Sequence, residues 1–243
     1  MHVTAARHLD DGVLERSFTL GDVPGVLWTP GSPTAPVPLV LLGHPGGLQA
    51  VYPRLVARAR HSVAAGFAAA TLELPGSGDR PRSADAEGAR ADLRRALAAG
   101  EPVDAEVVDR LVLPLVEQAV PEWRAALDAL LALPEIGGPV GYSGGVIAIG
   151  VRLAVVEPRI AAALLFAGSR VPRAVFEEAR RVTVPLLVLL QWDDEGNDRQ
   201  EALDLFDALG SAEKTLHANT GGHTGVPSFE GDDANRFFAR HLR

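Results

Sequence analysis

Three short stretches of this chain carry the residue types that nucleophilic catalysis needs. "GYSGG" (141–145) sets Ser143 between glycines, "QWDDEGND" (191–198) supplies a run of carboxylates, and "GGH" (221–223) presents His223. A serine hydroxyl is a poor nucleophile until a base takes its proton, so a histidine must come within hydrogen-bond reach. A third group, normally a carboxylate, orients that imidazole and stabilises it once it is charged. The order serine, acid, histidine is the one that goes with a mostly parallel α/β sheet. Asp193, Asp194, Glu195 and Asp198 all stand in the acidic stretch. The motif G-x-S-x-G by itself arises by chance in roughly one chain in ten of this length, so its neighbours must carry the argument.

Acyl chemistry also needs two N–H donors for the oxyanion that forms in the transition state. The amide of Gly144, directly after the serine, is the first candidate. "HPGG" (44–47) supplies the second. Pro45 has no N–H to give, which leaves Gly46, where the backbone can approach a ligand closely. Blander roles exist for these residues: a helix N-cap for Ser143, a surface-loop histidine for His223, a solvated rim for the acids around Trp192. His44 reads as a brace of its loop, His217 as a satisfied core or edge histidine, and "PGSGDRP" (75–81) as a structural turn.

The elements around these stretches decide between the two sets of readings. "LERSFTL" (14–20) and "VPGVLWTP" (23–30) alternate apolar and polar residues about a Gly-Asp turn and predict an antiparallel hairpin. "VPLVLLGH" (37–44) is an unbroken apolar run, the pattern of a strand buried on both faces. Helices and strands then alternate. A helix is predicted over 52–65, a strand over 67–74, two or three helices within 86–133, and a strand over 138–142 leading into a helix over 144–156. Strands follow at 159–168, 184–192 and 214–218, with helices at 173–181, 199–209 and 232–242. The whole, 1–243, reads as a single α/β domain with a mostly parallel sheet of about eight strands and helices on both faces. Residues 82–120 exceed one crossover and suggest a small helical lid, and 82–120 and 168–182 are the expected pocket walls. In such a sheet ligands bind at the carboxyl ends of the strands. Each chemical residue falls at one of those ends. The strand-to-helix turn at Ser143 is expected to force the serine into a sparsely populated backbone conformation, with Gly141 and Gly145 kept small so that strand and helix can approach.

Composition narrows the classes. With 23 Lys and Arg against 31 Asp and Glu, the net charge is −8, which offers no basic field to nucleic acid or an anionic membrane. There is no cysteine, which removes disulfides, thiolate metal sites and a cysteine nucleophile. The N-terminal stretch lacks the basic and apolar regions of a signal peptide, and the apolar runs are too short to span a bilayer, so a cytoplasmic protein is expected. No phosphate-binding glycine loop or metal-ligand spacing is present, and no cofactor is implied. A homodimer is the default assembly.

"LLGHPGG", "LELPGSGDRP", "GYSGG", "LLQWDDEGND" and "GGH", in that order, resemble the α/β-hydrolase superfamily over nearly the whole chain, and within it the bacterial dienelactone-hydrolase-like proteins. True dienelactone hydrolases use a cysteine nucleophile, which this chain lacks. The resemblance implies a cofactor-independent serine hydrolase of small esters, lactones or thioesters. Ser143 would be the nucleophile, His223 the base, Asp194 the acid with Asp193 next in line, and Gly46 and Gly144 the oxyanion donors. Two departures stand out: Gly144 follows the nucleophile where a bulky residue is common, and the acid loop reads "GND" where an apolar residue and proline are common. The same fold also serves acyl transfer, lyase or cyclase chemistry, and catalytically silent binding proteins.

Overall fold

The unbroken apolar runs of the sequence become the middle of a nine-stranded sheet. The computed structural model describes residues 1–243. Its strands are β1 (His2–His8), β2 (Val13–Leu20), β3 (Val23–Pro30), β4 (Val37–Gly43), β5 (Ala68–Leu72), β6 (Ile136–Gly144), β7 (Ile160–Phe166), β8 (Leu186–Gln191) and β9 (Lys214–Asn219). Its helices are α1 (Leu48–Ala64), α2 (Ala84–Ala99), α3 (Ala105–Leu131), α4 (Ile147–Val156), α5 (Arg173–Ala179), α6 (Arg199–Ala208) and α7 (Phe229–His241). The strand order is β1-β2-β3-β5-β4-β6-β7-β8-β9. From β5 across to β9 all neighbours are parallel, and β1, β2 and β3 add an antiparallel end.

Successive side chains of a strand point to opposite faces, so each central strand feeds two cores. Leu39 and Leu41 of β4, with Ala163 and Leu165 of β7, face a layer built by α3, α4, α5 and α6. Val40 and Leu42, with Ala162 and Leu164, face α1 and α7. Each such leucine, fully buried, contributes roughly 1.5–3 kcal/mol relative to exposure. No helix is long and apolar enough to cross a membrane.

Three differences from the sequence expectation have physical causes. β1 is a ninth strand, and all seven of its residues are exposed, so it leaves no hydrophobic pattern to read. α3 runs unbroken for 27 residues through Pro114 and Pro121. Both prolines lie on the exposed side, seven residues apart, where water can take the carbonyls they leave free. The opposite side buries Val112, Val116, Trp123, Leu127 and Leu130, which outweighs the two missing hydrogen bonds. α1 begins at Leu48 rather than 52 because the buried carboxylate of Glu73 accepts from the Leu48 N–H with both oxygens, at 3.1 Å each. That carboxylate sits where the N-terminal dipole of the helix favours negative charge.

Candidate active site

β4 and β6 are sheet neighbours, yet the chain leaves β4 toward β5 on one side and returns to β6 on the other. Such a reversal opens a crevice beyond the strand ends. Leu42 pairs with Ser143 and Gly43 with Gly144 at its base. Ser143 is 6% exposed, on the face shared with Leu42 and Leu164.

The turn after Ser143 is glycine-built. Gly144 and Gly145 take φ of +79° and +76°, and no non-glycine residue in the chain has positive φ. The expected backbone strain at Ser143 is therefore absent: the two following glycines, which adopt that region without a side-chain clash, absorb the turn. α4 begins only at Ile147. The small residues also serve other neighbours than expected. A Cβ on Gly145 would lie 2.8 Å from the backbone of Gly43 and His44, and one on Gly141 would strike Phe238 of α7. The residue that lets α4 close on the sheet is Gly150, whose Cβ would meet Leu165 and Tyr142.

His223, in the loop after β9, lies beside the acid loop that follows β8. Its Nδ1 is 2.8 Å from Asp194 Oδ2. The neighbouring Asp193 turns away to accept from the Gly221 N–H at 3.1 Å. Asp194 also accepts from Asn197 Nδ2 at 2.7 Å and from the Gly196 N–H at 2.8 Å. Burial alone would push this carboxyl upward, but the hydrogen bonds from His223, Asn197 and Gly196 outweigh it and hold Asp194 below the usual carboxylate range. The "GND" ending of the loop thus has a use. Asn197 grips Asp194 and also accepts from the Ser169 N–H at 3.1 Å. Asp198 caps α6 by accepting from the Glu201 N–H.

Ser143, Asp194 and His223 all line one cavity of about 650 Å³. That volume suits a small organic molecule. Leu42, Leu164 and Leu189 floor it, α1 walls one side through Leu55 and Arg58, and α7 walls the other through Ala234 and Phe238. These helices, not 82–120 or 168–182, form the walls. Of those two segments only Gly168 contributes. The Ser143 hydroxyl makes no hydrogen bond to His223, whose side chain is 69% exposed. It accepts instead from Arg58 Nη2 at 3.0 Å. Neither Gly46 nor Gly144 is a lining residue, whereas Gly43, His44 and Pro45 of the same loop are.

The remaining histidines and the glycine turn behave as braces. His44 is buried, with Nε2 2.7 Å from the Leu72 carbonyl, and desolvation lowers its pKa. It ties the loop after β4 to the end of β5 as a neutral ring. His217 Nδ1 pairs with the buried Glu230 at 2.9 Å, linking β9 to α7. Arg80 of "PGSGDRP" donates to the Glu73 carbonyl at 2.9 Å and to Glu122 of α3, away from the cavity. His217, Glu230 and Asp233 place three potential ligand atoms within 4.8 Å of one another. Both Glu230 oxygens there are already engaged, by His217 and by Asn219 Nδ2.

Arg58 is the site residue that motif reading passed over. A signal for it exists: α1 carries Arg54, Arg58 and Arg60 but no acidic residue, so its cations have no partner on their own helix.

No protein-family model matches the chain, and no curated protein does either. Solved structures do match. A cold-adapted esterase from an Arctic intertidal metagenomic library, in a PEG-bound complex, is 30% identical with all of both chains covered and a TM-score of 0.77. Dienelactone hydrolase from Anabaena variabilis is 18% identical over all of both chains, with a TM-score of 0.62. An esterase of Pyrococcus furiosus is 11% identical, covering 98% of this chain and 91% of its own, with a TM-score of 0.66. The latter two share the fold, and the first shares both fold and sequence from end to end. The chain belongs to the esterases of the α/β-hydrolase superfamily.

Proposed function

We propose that this protein is a serine hydrolase that cleaves a small carboxylic ester, lactone or thioester through an acyl-enzyme. The observation that carries the reading is the convergence of Ser143, Asp194 and His223 on one cavity, with the Asp194–His223 hydrogen bond already formed. Asp194 fixes the imidazole with Nδ1 as donor, which leaves Nε2 as the base. His223 is exposed and swings over Ser143 once substrate fills the cavity; such hydrogen bonds are often open in ligand-free sites.

Ser143 Oγ then bonds to the carbonyl carbon while its proton passes to His223 Nε2. Collapse of the tetrahedral adduct breaks the bond to the alcohol or thiol, which leaves with that proton. Water repeats the sequence on the acyl-enzyme, releasing the acid and restoring Ser143. The Gly144 amide, next to the nucleophile, and the Gly46 amide, on the loop that His44 braces, are the assigned oxyanion donors. Removing one such donor typically costs about 3 kcal/mol of transition-state stabilisation.

The test is hydrolysis of a short-chain p-nitrophenyl ester series by wild type and Ser143→Ala, with fluorophosphonate labelling read by intact mass. Turnover and labelling that both vanish in the variant support the reading. A folded wild type that shows neither overturns it.

A further inference from the structure

We propose that Arg58 is a catalytic residue of this esterase, its guanidinium supplying the positive charge against which Ser143 attacks and the oxyanion forms. The inference rests on Ser143 being the nucleophile. Arg58 donates three hydrogen bonds: Nη1 to the Gly43 carbonyl at 3.0 Å, and Nη2 to the Ser143 carbonyl at 2.7 Å and to Ser143 Oγ at 3.0 Å. None goes to a carboxylate. A buried or half-buried arginine is ordinarily paired, and this one is aimed at a hydroxyl with its charge unspent.

The backbone contacts fix where the cation sits. By holding the ends of both β4 and β6, Arg58 keeps its Nη2 at the nucleophile whatever the loops do. It remains protonated at neutral pH, although desolvation lowers its pKa to about 10. One hydrogen bond to Oγ leaves a second lone pair for attack and the hydroxyl proton for His223. As that proton leaves and negative charge builds on the adduct, the cation is already in place in a poorly solvated site, where such charge acts most strongly. No proton leaves Arg58. Arg58 and Ser143 line the same cavity.

The other charged or titratable groups around the cavity are Arg54 and His61 from α1, His44 from the loop after β4, Asp194, His223, and Glu230 from α7. Asp194 is engaged by His223, and Glu230 by His217 and Asn219, so neither neutralises Arg58.

A competing role is purely structural, an arginine that caps two strand-end carbonyls. Arg58→Gln and Arg58→Lys separate the two, read by ester turnover and by the rate of fluorophosphonate labelling. Expected for Arg58→Gln is a fall in kcat of about 100-fold with KM within about threefold, the size typical of a lost transition-state donor. The fluorophosphonate labelling rate should fall in parallel, because attack by Ser143 is the step the cation assists. Arg58→Lys, which keeps the charge, should recover at least about tenfold of the loss in both.

A kcat for folded Arg58→Gln within about threefold of wild type overturns the proposal. So does a folded Arg58→Lys as impaired as the glutamine variant. If Arg58→Gln does not fold, the lysine variant decides alone: a kcat within about tenfold of wild type supports the proposal, and a larger fall in folded Arg58→Lys overturns it. A wild type that is not labelled at Ser143 takes down the hydrolase reading and this inference together. Labelling at Ser143 with indifferent Arg58 variants takes down only the latter.

Discussion

Gly145→Ala tests whether the glycine turn after Ser143 is what lets β6 and β4 meet. The residue has φ of +76°, and its added Cβ would sit 2.8 Å from Gly43 C, Gly43 Cα and His44 N. Two costs follow. Left-handed backbone costs an alanine about 1–2 kcal/mol. Forcing a methyl group into backbone that cannot rotate away adds about 1–3 kcal/mol. A total near 3 kcal/mol corresponds, for a chain of this size, to a melting temperature lower by roughly 6–12 °C. Relief can come only from moving the end of β4, and the Gly43 carbonyl there is an acceptor of Arg58. Esterase activity should therefore fall further than the loss of folded protein explains. Thermal unfolding and p-nitrophenyl ester turnover at a temperature where the variant is fully folded measure the two effects. Gly46→Ala is the internal control for stability, since Gly46 has no atom within 4 Å of a built Cβ and no positive φ, and it should lie within about 0.5 kcal/mol of wild type. A Gly145→Ala protein melting within about 2 °C of wild type would refute the packing argument, because the clash energy would then have to be under about 1 kcal/mol.

Two other perturbations have defined outcomes. Asp194→Asn should lower kcat by on the order of 10³- to 10⁴-fold through loss of imidazole orientation, while Asp193→Asn stays within a few-fold. Equal effects in steady-state kinetics would show that the observed Asp194–His223 pair is not the working one. Glu157, buried at the end of α4, accepts from Arg159 through its side chain and its N–H and from Arg124, and its pKa falls from the ordinary 4.5 to about 2. Arg159 is the main cause, working against desolvation. A depressed carboxylate stabilises the fold above its unfolded pKa, and that contribution is lost as pH falls from about 4.5 through about 2. The shift corresponds to roughly 3 kcal/mol. Urea unfolding should show Glu157→Gln less stable than wild type by about that amount at pH 7, with the gap closing near pH 2. A gap that does not change with pH would refute it.

The parallel core was legible because strands such as "VPLVLLG" and "LLVLLQ" are apolar without interruption, a pattern only a sheet covered on both sides explains. The chemical loops were legible because Ser143, the acid stretch and His223 each fall at or just beyond the carboxyl end of a strand, although only the acid stretch follows an uninterrupted apolar one. β1 was not, since a strand with both sides in water has no pattern to show. Pro114 and Pro121 misled because the price of a helical proline depends on which side of the helix it faces, and only the packed structure says which. The cavity walls were missed for a similar reason. Arg54 and Arg58 are four residues apart on α1 and look like an ordinary charged surface until the crevice beneath them is seen. The acid choice, open between Asp193 and Asp194 in the residues themselves, turns on one side chain facing Gly221 and the other His223.

Because α7 seals the side of the sheet on which Ser143 stands, the site is assembled late in the life of a nascent chain. Phe238 packs beside Gly141 and walls the cavity, yet it is synthesised about 95 residues after Ser143. At ribosomal speeds of 5–20 residues per second that is a delay of roughly 5–20 s. Until α7 is made, Leu42, Leu164 and Leu189 lack their water-excluding partner on that side. The growing polypeptide is thus sticky on that face until this last helix packs against it.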